Sequence, residues 1–237
     1  SVERLVVVPY AQQRPDISAI PQAVMYADFK SVEEGLAVDF AQLPFDHPLF
    51  IMYSSGTTGV PKCIVHGHGG TLLQIVKEHV LHCDLGPADR LFYFTTCGWM
   101  MWNWLVTGLA TGAALLLFDG SPFFDDGHGL WKMAERERIT VFGTSAKYLS
   151  ALEKAGVRPA DDYRLPELRA VLSTGSPLAP EGFDYVYDAI GKDLQLASIA
   201  GGTDEIQHNI LGENVLGLPK EPNQDKVVPF SELPKNA

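Results

Sequence analysis

The run Tyr53-Ser54-Ser55-Gly56-Thr57-Thr58-Gly59-Val60-Pro61-Lys62 packs four aliphatic hydroxyls, two glycines and a lysine into ten positions. That mixture makes a poor helix and a poor strand. It makes a good anion cradle. Glycines let backbone N–H groups approach a phosphate closely, hydroxyls donate hydrogen bonds, and Lys62 supplies a point charge. The common NTPase phosphate loop needs GxxxxGK[ST] followed by a helix. Here the spacing is GxxGxxK and a strand follows, so a different cradle is expected. A flexible hairpin turn would account for a shorter Gly/Ser stretch, but the whole string favours phosphate.

Two further segments carry polar groups at the ends of apolar runs. Ser173-Thr174-Gly175-Ser176-Pro177-Leu178 reads by itself as a turn and helix start. Ser198-Ile199-Ala200-Gly201-Gly202-Thr203-Asp204 reads by itself as a Gly-Gly turn capped by Thr and Asp. His66 and His68 form an HxH pair, and His79 and His82 share a helical face beside Cys83. No further ligand set with metal-site spacing accompanies them, so a zinc site is not expected. The GxSxG elbow of a serine hydrolase is missing. Asp125-Asp126 and the Glu135–Arg138 run read as solvated surface, and Trp102 and Trp104 as core.

The elements that must position these segments alternate. Strands are expected at Leu5 to Val8 (buried), Leu49 to Tyr53, Lys62 to Val65, Leu91 to Phe94 and Ala113 to Phe118. Further strands are expected at Ile139 to Phe142, Arg169 to Leu172 and Leu194 to Ile199. Apolar residues at helical period mark Thr71 to His82. Other helices are expected in the Trp-rich stretch near 99–104, at Lys132 to Arg138, at Ala146 to Ala155 before Gly156, and at Ala179 to Ile190 before Gly191. Repeated strand-then-helix units call for an α/β fold, a largely parallel sheet flanked by helices on both faces. Ligands gather beyond the carboxyl ends of such strands, where the three polar segments fall.

The chain has 237 residues, 46% apolar and 20% charged, with a formal charge of −11. That acidity argues against nucleic acid or an anionic membrane as partner, and no apolar run reaches the length of a membrane span. Three cysteines without a CxxC pair suit a reduced, cytoplasmic setting. Ser1 in place of Met suggests a chain processed or cut from something longer.

Ser-Ser-Gly-Thr-Thr-Gly-x-Pro-Lys at 54–62 resembles the signature loop of adenylate-forming enzymes: acyl-CoA synthetases, luciferases and peptide-synthetase adenylation domains. Lys62-Cys63-Ile64-Val65-His66-Gly67 and Phe92 to Trp104 look like the acetoacetyl-CoA synthetase branch. The resemblance runs from Ser1 to about Asp204. It implies part of the large N-terminal domain of such an enzyme over 1–206, with 207–237 a divergent, loosely ordered tail. It implies an ATP-dependent acid–thiol ligase that activates acetoacetate, or a similar short acid, as acyl-AMP and passes it to coenzyme A, with Mg²⁺ as cofactor. The ribose-binding aspartate, the hinge and the lysine-bearing C-terminal domain find no match past Ile206. An inactive fragment, or a non-catalytic nucleotide-binding remnant, is therefore also expected.

By the same resemblance, Ser54, Ser55, Gly56, Thr57, Thr58, Gly59 and Lys62 would hold the β- and γ-phosphates. Gly175, Ser176 and Pro177 would pack on adenine. Thr203 would hydrogen-bond the α-phosphate, Gly202 would border the nucleotide and Asp204 would sit by Mg²⁺, making Lys62, Thr203 and Asp204 the catalytic set. Trp99, Met100, Thr174 and Gly201 would wall the acyl pocket. A Trp matches Gly201 in acetate-specific relatives, and removing that side chain leaves room for a longer acid.

Overall fold

The computed structural model describes residues 2–10, 12–30, 35, 37, 39–54 and 62–198, with residues 54 and 62 described by backbone alone. It divides into two compact units, Ser1–Leu43 and Pro44–Ala237. In the first unit, β1 (Leu5–Val7) pairs in parallel with β2 (Ala23–Met25), and the short helix α1 (Tyr26–Phe29) follows. The expected buried strand ends one residue early and is not buried: Leu5 is 42% exposed. Val6, Val7 and the three residues of β2 are half-buried.

The second unit begins with an antiparallel hairpin of β3 (Pro48–Ser54) and β4 (Lys62–Gly67). Helix α2 (His68–Lys77) follows, and its last turn, Glu78–His82, widens to π geometry. The helix thus starts three residues earlier than the apolar period suggests, because Gly67 is already extended at the N-cap.

Five parallel strands then build one sheet: β5 (Arg90–Tyr93), β6 (Ala114–Leu116), β7 (Val141–Ser145), β8 (Ala170–Thr174) and β9 (Gln195–Ser198), in the order β6-β5-β7-β8-β9. Between them run α3 (Met100–Thr107), α4 (Gly129–Arg136), α5 (Ala146–Ala155), α6 (Pro159–Asp162) and α7 (Pro180–Ala189). The expected parallel sheet with helices on both faces is observed.

Strand alternation sorts the core into two layers. Phe92, Phe142 and Val171 face α4, α5 and α7, where Trp131 stacks on Phe142 at 4.4 Å. Leu91, Tyr93, Val141 and Leu172 face α3, meeting Met101, Trp104 and Leu105. Trp104 is therefore core, as expected, and Trp102 packs half-buried against the same layer. Gly156 stops α5 in the left-handed region at φ 70°. At the amino ends of the strands, Arg169 donates to the Asp89 carboxylate and to the carbonyls of Cys83 and Asp84, while Thr140 Oγ1 donates to Asp89. That staple ties β5, β7 and β8 together at the edge away from the polar segments.

Candidate active site

The hairpin sets the mouth of the hydroxyl-glycine loop. Ser54 pairs with Lys62 across β3 and β4, so residues 55–61 span a gap one strand spacing wide. Ser55, Gly56, Thr57, Thr58 and Gly59 lie outside the described residues, as do the side chains of Ser54 and Lys62. The hairpin is anchored to α3: Asn103 Nδ2 donates to Met52 Sδ at 3.0 Å, two residues before Ser54. Helix α3 in turn opens with Trp99 as its N-cap and Met100 as its first residue.

The carboxyl ends of the parallel strands form the second part. Beyond β5, Phe94 N donates to Gly143 O and the chain turns through Thr95 to Trp99, where Trp99 N donates to Thr96 O. Trp99 is 57% exposed and Met100 is also exposed, so neither is spent on the core. Thr174 ends β8 beside Ser145 of β7 and is buried. Gly175 follows at φ +90°, a conformation other residues adopt only with strain. It turns the chain into Ser176 and Pro177, which line a groove between α5 and α7 together with Ala146, Lys147 and Ala179. Ser198 ends β9 in register with Ser173. The segment that continues from it, with Gly201, Gly202, Thr203 and Asp204, lies outside the described residues. The described parts of the Trp99, Thr174 and Ser198 segments thus leave the same sheet edge.

Several polar side chains and one thiol are buried in this unit. The Tyr93 ring lies over Gly143, where an added Cβ would meet Tyr93 Cδ2 at 2.0 Å. The Tyr93 hydroxyl donates to Thr144 O, and burial pushes its pKa well above the ordinary phenol range. Thr144 and Ser173 are register partners whose buried hydroxyl oxygens have no partner among the described residues. Burial also pushes the Cys83 thiol up to about 11, which keeps it protonated and unreactive at neutral pH. His79 is fully buried with its pKa lowered by desolvation, so it is neutral. Among the described residues, no cluster of three or more His, Cys, Asp or Glu could hold a metal ion. No helix among them is long and apolar enough to cross a membrane.

The family described as "AMP-binding enzyme" matches residues 6–206. The chain belongs to that family. Within it, an acetoacetyl-coenzyme A synthetase of Rhizobium meliloti is 56% identical over 208 residues, covering 87% of this chain and 32% of the relative. A malonamoyl-CoA synthetase of Penicillium aethiopicum is 50% identical over 183 residues, covering 71% and 25%. The solved acetoacetyl-CoA synthetase of Streptomyces lividans superposes with a TM-score of 0.73 at 45% identity, covering 85% and 31%. The family resemblance read from residues 54–62 and 92–104 is borne out, as is its branch. The chain spans about a third or less of the length of these AMP-binding relatives.

Proposed function

We propose that this chain forms the phosphate- and acid-binding part of an ATP-dependent acid–thiol ligase that converts acetoacetate into its CoA thioester. The observation that carries the reading is convergence. The Trp99–Met100, Thr174–Pro177 and Ser198 segments leave one edge of the sheet, and α3 at that edge holds the hairpin closed by Ser54 and Lys62.

The reaction has two displacements. A carboxylate oxygen attacks the α-phosphorus of ATP, the α–β anhydride bond breaks, and pyrophosphate leaves with its electron pair. The CoA sulfur then attacks the acyl carbon, the acyl–oxygen bond breaks, AMP leaves, and the thiol proton passes to solvent. The protein's task is to align two anions and neutralise their repulsion, and alignment is worth roughly 7–11 kcal/mol. Lys62 and the loop donors from Ser54 to Gly59 would hold the β- and γ-phosphates, and Thr203 the α-phosphate. Gly175 to Pro177, with Gly202, would border the nucleotide. Asp204, a hard carboxylate donor, suits Mg²⁺ arriving with the phosphates; the ion would neutralise charge on the leaving pyrophosphate. Trp99, Met100, Thr174 and Gly201 would enclose the acid.

Acetoacetate-dependent exchange of labelled pyrophosphate into ATP by the full-length polypeptide tests the reading. Exchange is expected. ATP binding without exchange on any short acid would instead favour a non-catalytic nucleotide-binding protein. Activation of another short acid is a second reading, favoured by the malonamoyl-CoA synthetase at 50% identity. Comparing kcat/KM between acetoacetate and the monoamide of malonate decides between them.

A further inference from the structure

We infer that Glu78 and His79 in the π turn are positioning residues that fix α3, and through it the acid-binding wall and the hairpin. The inference rests on the proposed ligase reading. Both side chains reach one residue. The Trp104 indole N–H donates to Glu78 Oε2 at 2.9 Å, and His79 Nε2 lies 2.9 Å from Trp104 O. A carbonyl only accepts, so Nε2 carries the proton and Nδ1 is bare. The His79 ring also leans on the indole, with centroids 4.1 Å apart. Trp104 is thereby held by its side-chain donor, its backbone acceptor and its ring. Gln74 Nε2 donates to the other Glu78 oxygen and holds the carboxylate in place.

Trp104 lies one helical turn from Met100, and its neighbour Asn103 donates to Met52 in β3. A small roll of α3 would therefore move the acid wall and the phosphate hairpin together. Packing alone does not call for a histidine here. Its Nδ1 is buried with no partner among the described residues, a cost that an apolar side chain of similar size avoids. What the histidine adds is direction: a hydrogen bond fixes the rotation and height of α3, which dispersion contacts do not.

The test uses the full-length polypeptide with three variants, read by thermal unfolding and by acid-dependent pyrophosphate exchange. His79→Met removes the donor and the orphaned nitrogen, His79→Gln keeps a donor near Nε2, and Trp104→Phe removes the indole N–H together with the ring that carries it. His79→Met is expected to unfold no earlier than wild type yet to raise KM for the acid about tenfold, as sub-ångström misplacement does. His79→Gln should restore KM to within about twofold, and Trp104→Phe should raise KM if His79→Met does not fold. Wild-type KM in both His79→Met and Trp104→Phe, with exchange intact, would overturn the clamp alone. Absence of exchange in the wild type would overturn the ligase reading and this one with it.

Discussion

Gly143→Ala probes the packing that aims the strand ends. An ideal Cβ at Gly143 would sit 2.0 Å from Tyr93 Cδ2 and 2.5 Å from Cγ and Cε2. Ordinary contact between carbons needs about 3.5–4.0 Å, so the ring must retreat by about 1.5 Å or more. It cannot do so freely. Its hydroxyl is bonded to Thr144 O at 3.1 Å, and Trp104 stands edge-on at 5.7 Å. Either the ring leaves its rotamer and strands a buried hydroxyl, or β5 and β7 separate. Overpacking costs about 1–3 kcal/mol, the lost buried bond about 1–3 kcal/mol and the strained torsion about 1 kcal/mol. The variant should lose about 3–7 kcal/mol, lowering Tm by on the order of 10 °C. Calorimetry of the purified chain measures this. Repeating the substitution in a Tyr93→Leu background should recover most of the loss, because the clash partner is gone. A Tm within about 2 °C of wild type, or an equal loss in both backgrounds, would refute the reasoning.

Other perturbations separate stability from chemistry. Asp89→Asn should cost about 1–3 kcal/mol at neutral pH by weakening the Arg169 staple. Burial tends to raise the Asp89 pKa, but the Thr140 hydroxyl, the Gly86 N–H and Arg169 outweigh it and hold the carboxyl below its ordinary range. Its contribution is therefore present above the unfolded-state pKa and fades as pH falls through the depressed folded value. Urea titrations should show the gap between wild type and Asp89→Asn closing below about pH 4; a constant gap would exclude this linkage. Lys62→Ala in the full-length polypeptide should lower exchange by about 10²–10³-fold with Tm nearly unchanged, checked by parallel kinetics and calorimetry. Gly201→Trp should raise kcat/KM for acetate relative to acetoacetate by at least about tenfold, and an unchanged ratio would remove Gly201 from the acid pocket.

The sheet was legible in the sequence because apolar strands and amphipathic helices announce themselves by period. The family was legible at 54–62 because that composition and spacing are distinctive. Where strands ended was harder to read. β7 runs to Ser145 and β8 to Thr174 because parallel ladder bonds carry polar residues past the apolar run. Gly143 looked unremarkable, since its role is to leave room for a ring fifty residues away. His79 stands beside His82 and Cys83 in the sequence, without the spacing of a metal site. In the structure its nitrogen bonds the backbone of Trp104, a contact between residues twenty-five apart that no local pattern encodes. The exposed Leu5 shows the converse, the start of a strand whose composition suggests burial.

The most direct measurement is a crystal structure of the full-length polypeptide with a non-hydrolysable ATP analogue and Mg²⁺. The account predicts the Lys62 ammonium and the 54–59 backbone on the terminal phosphates, with Thr203 on the α-phosphate and Asp204 beside the metal. A nucleotide bound elsewhere, or Lys62 on a different face of the molecule from Thr203 and Asp204, would contradict it.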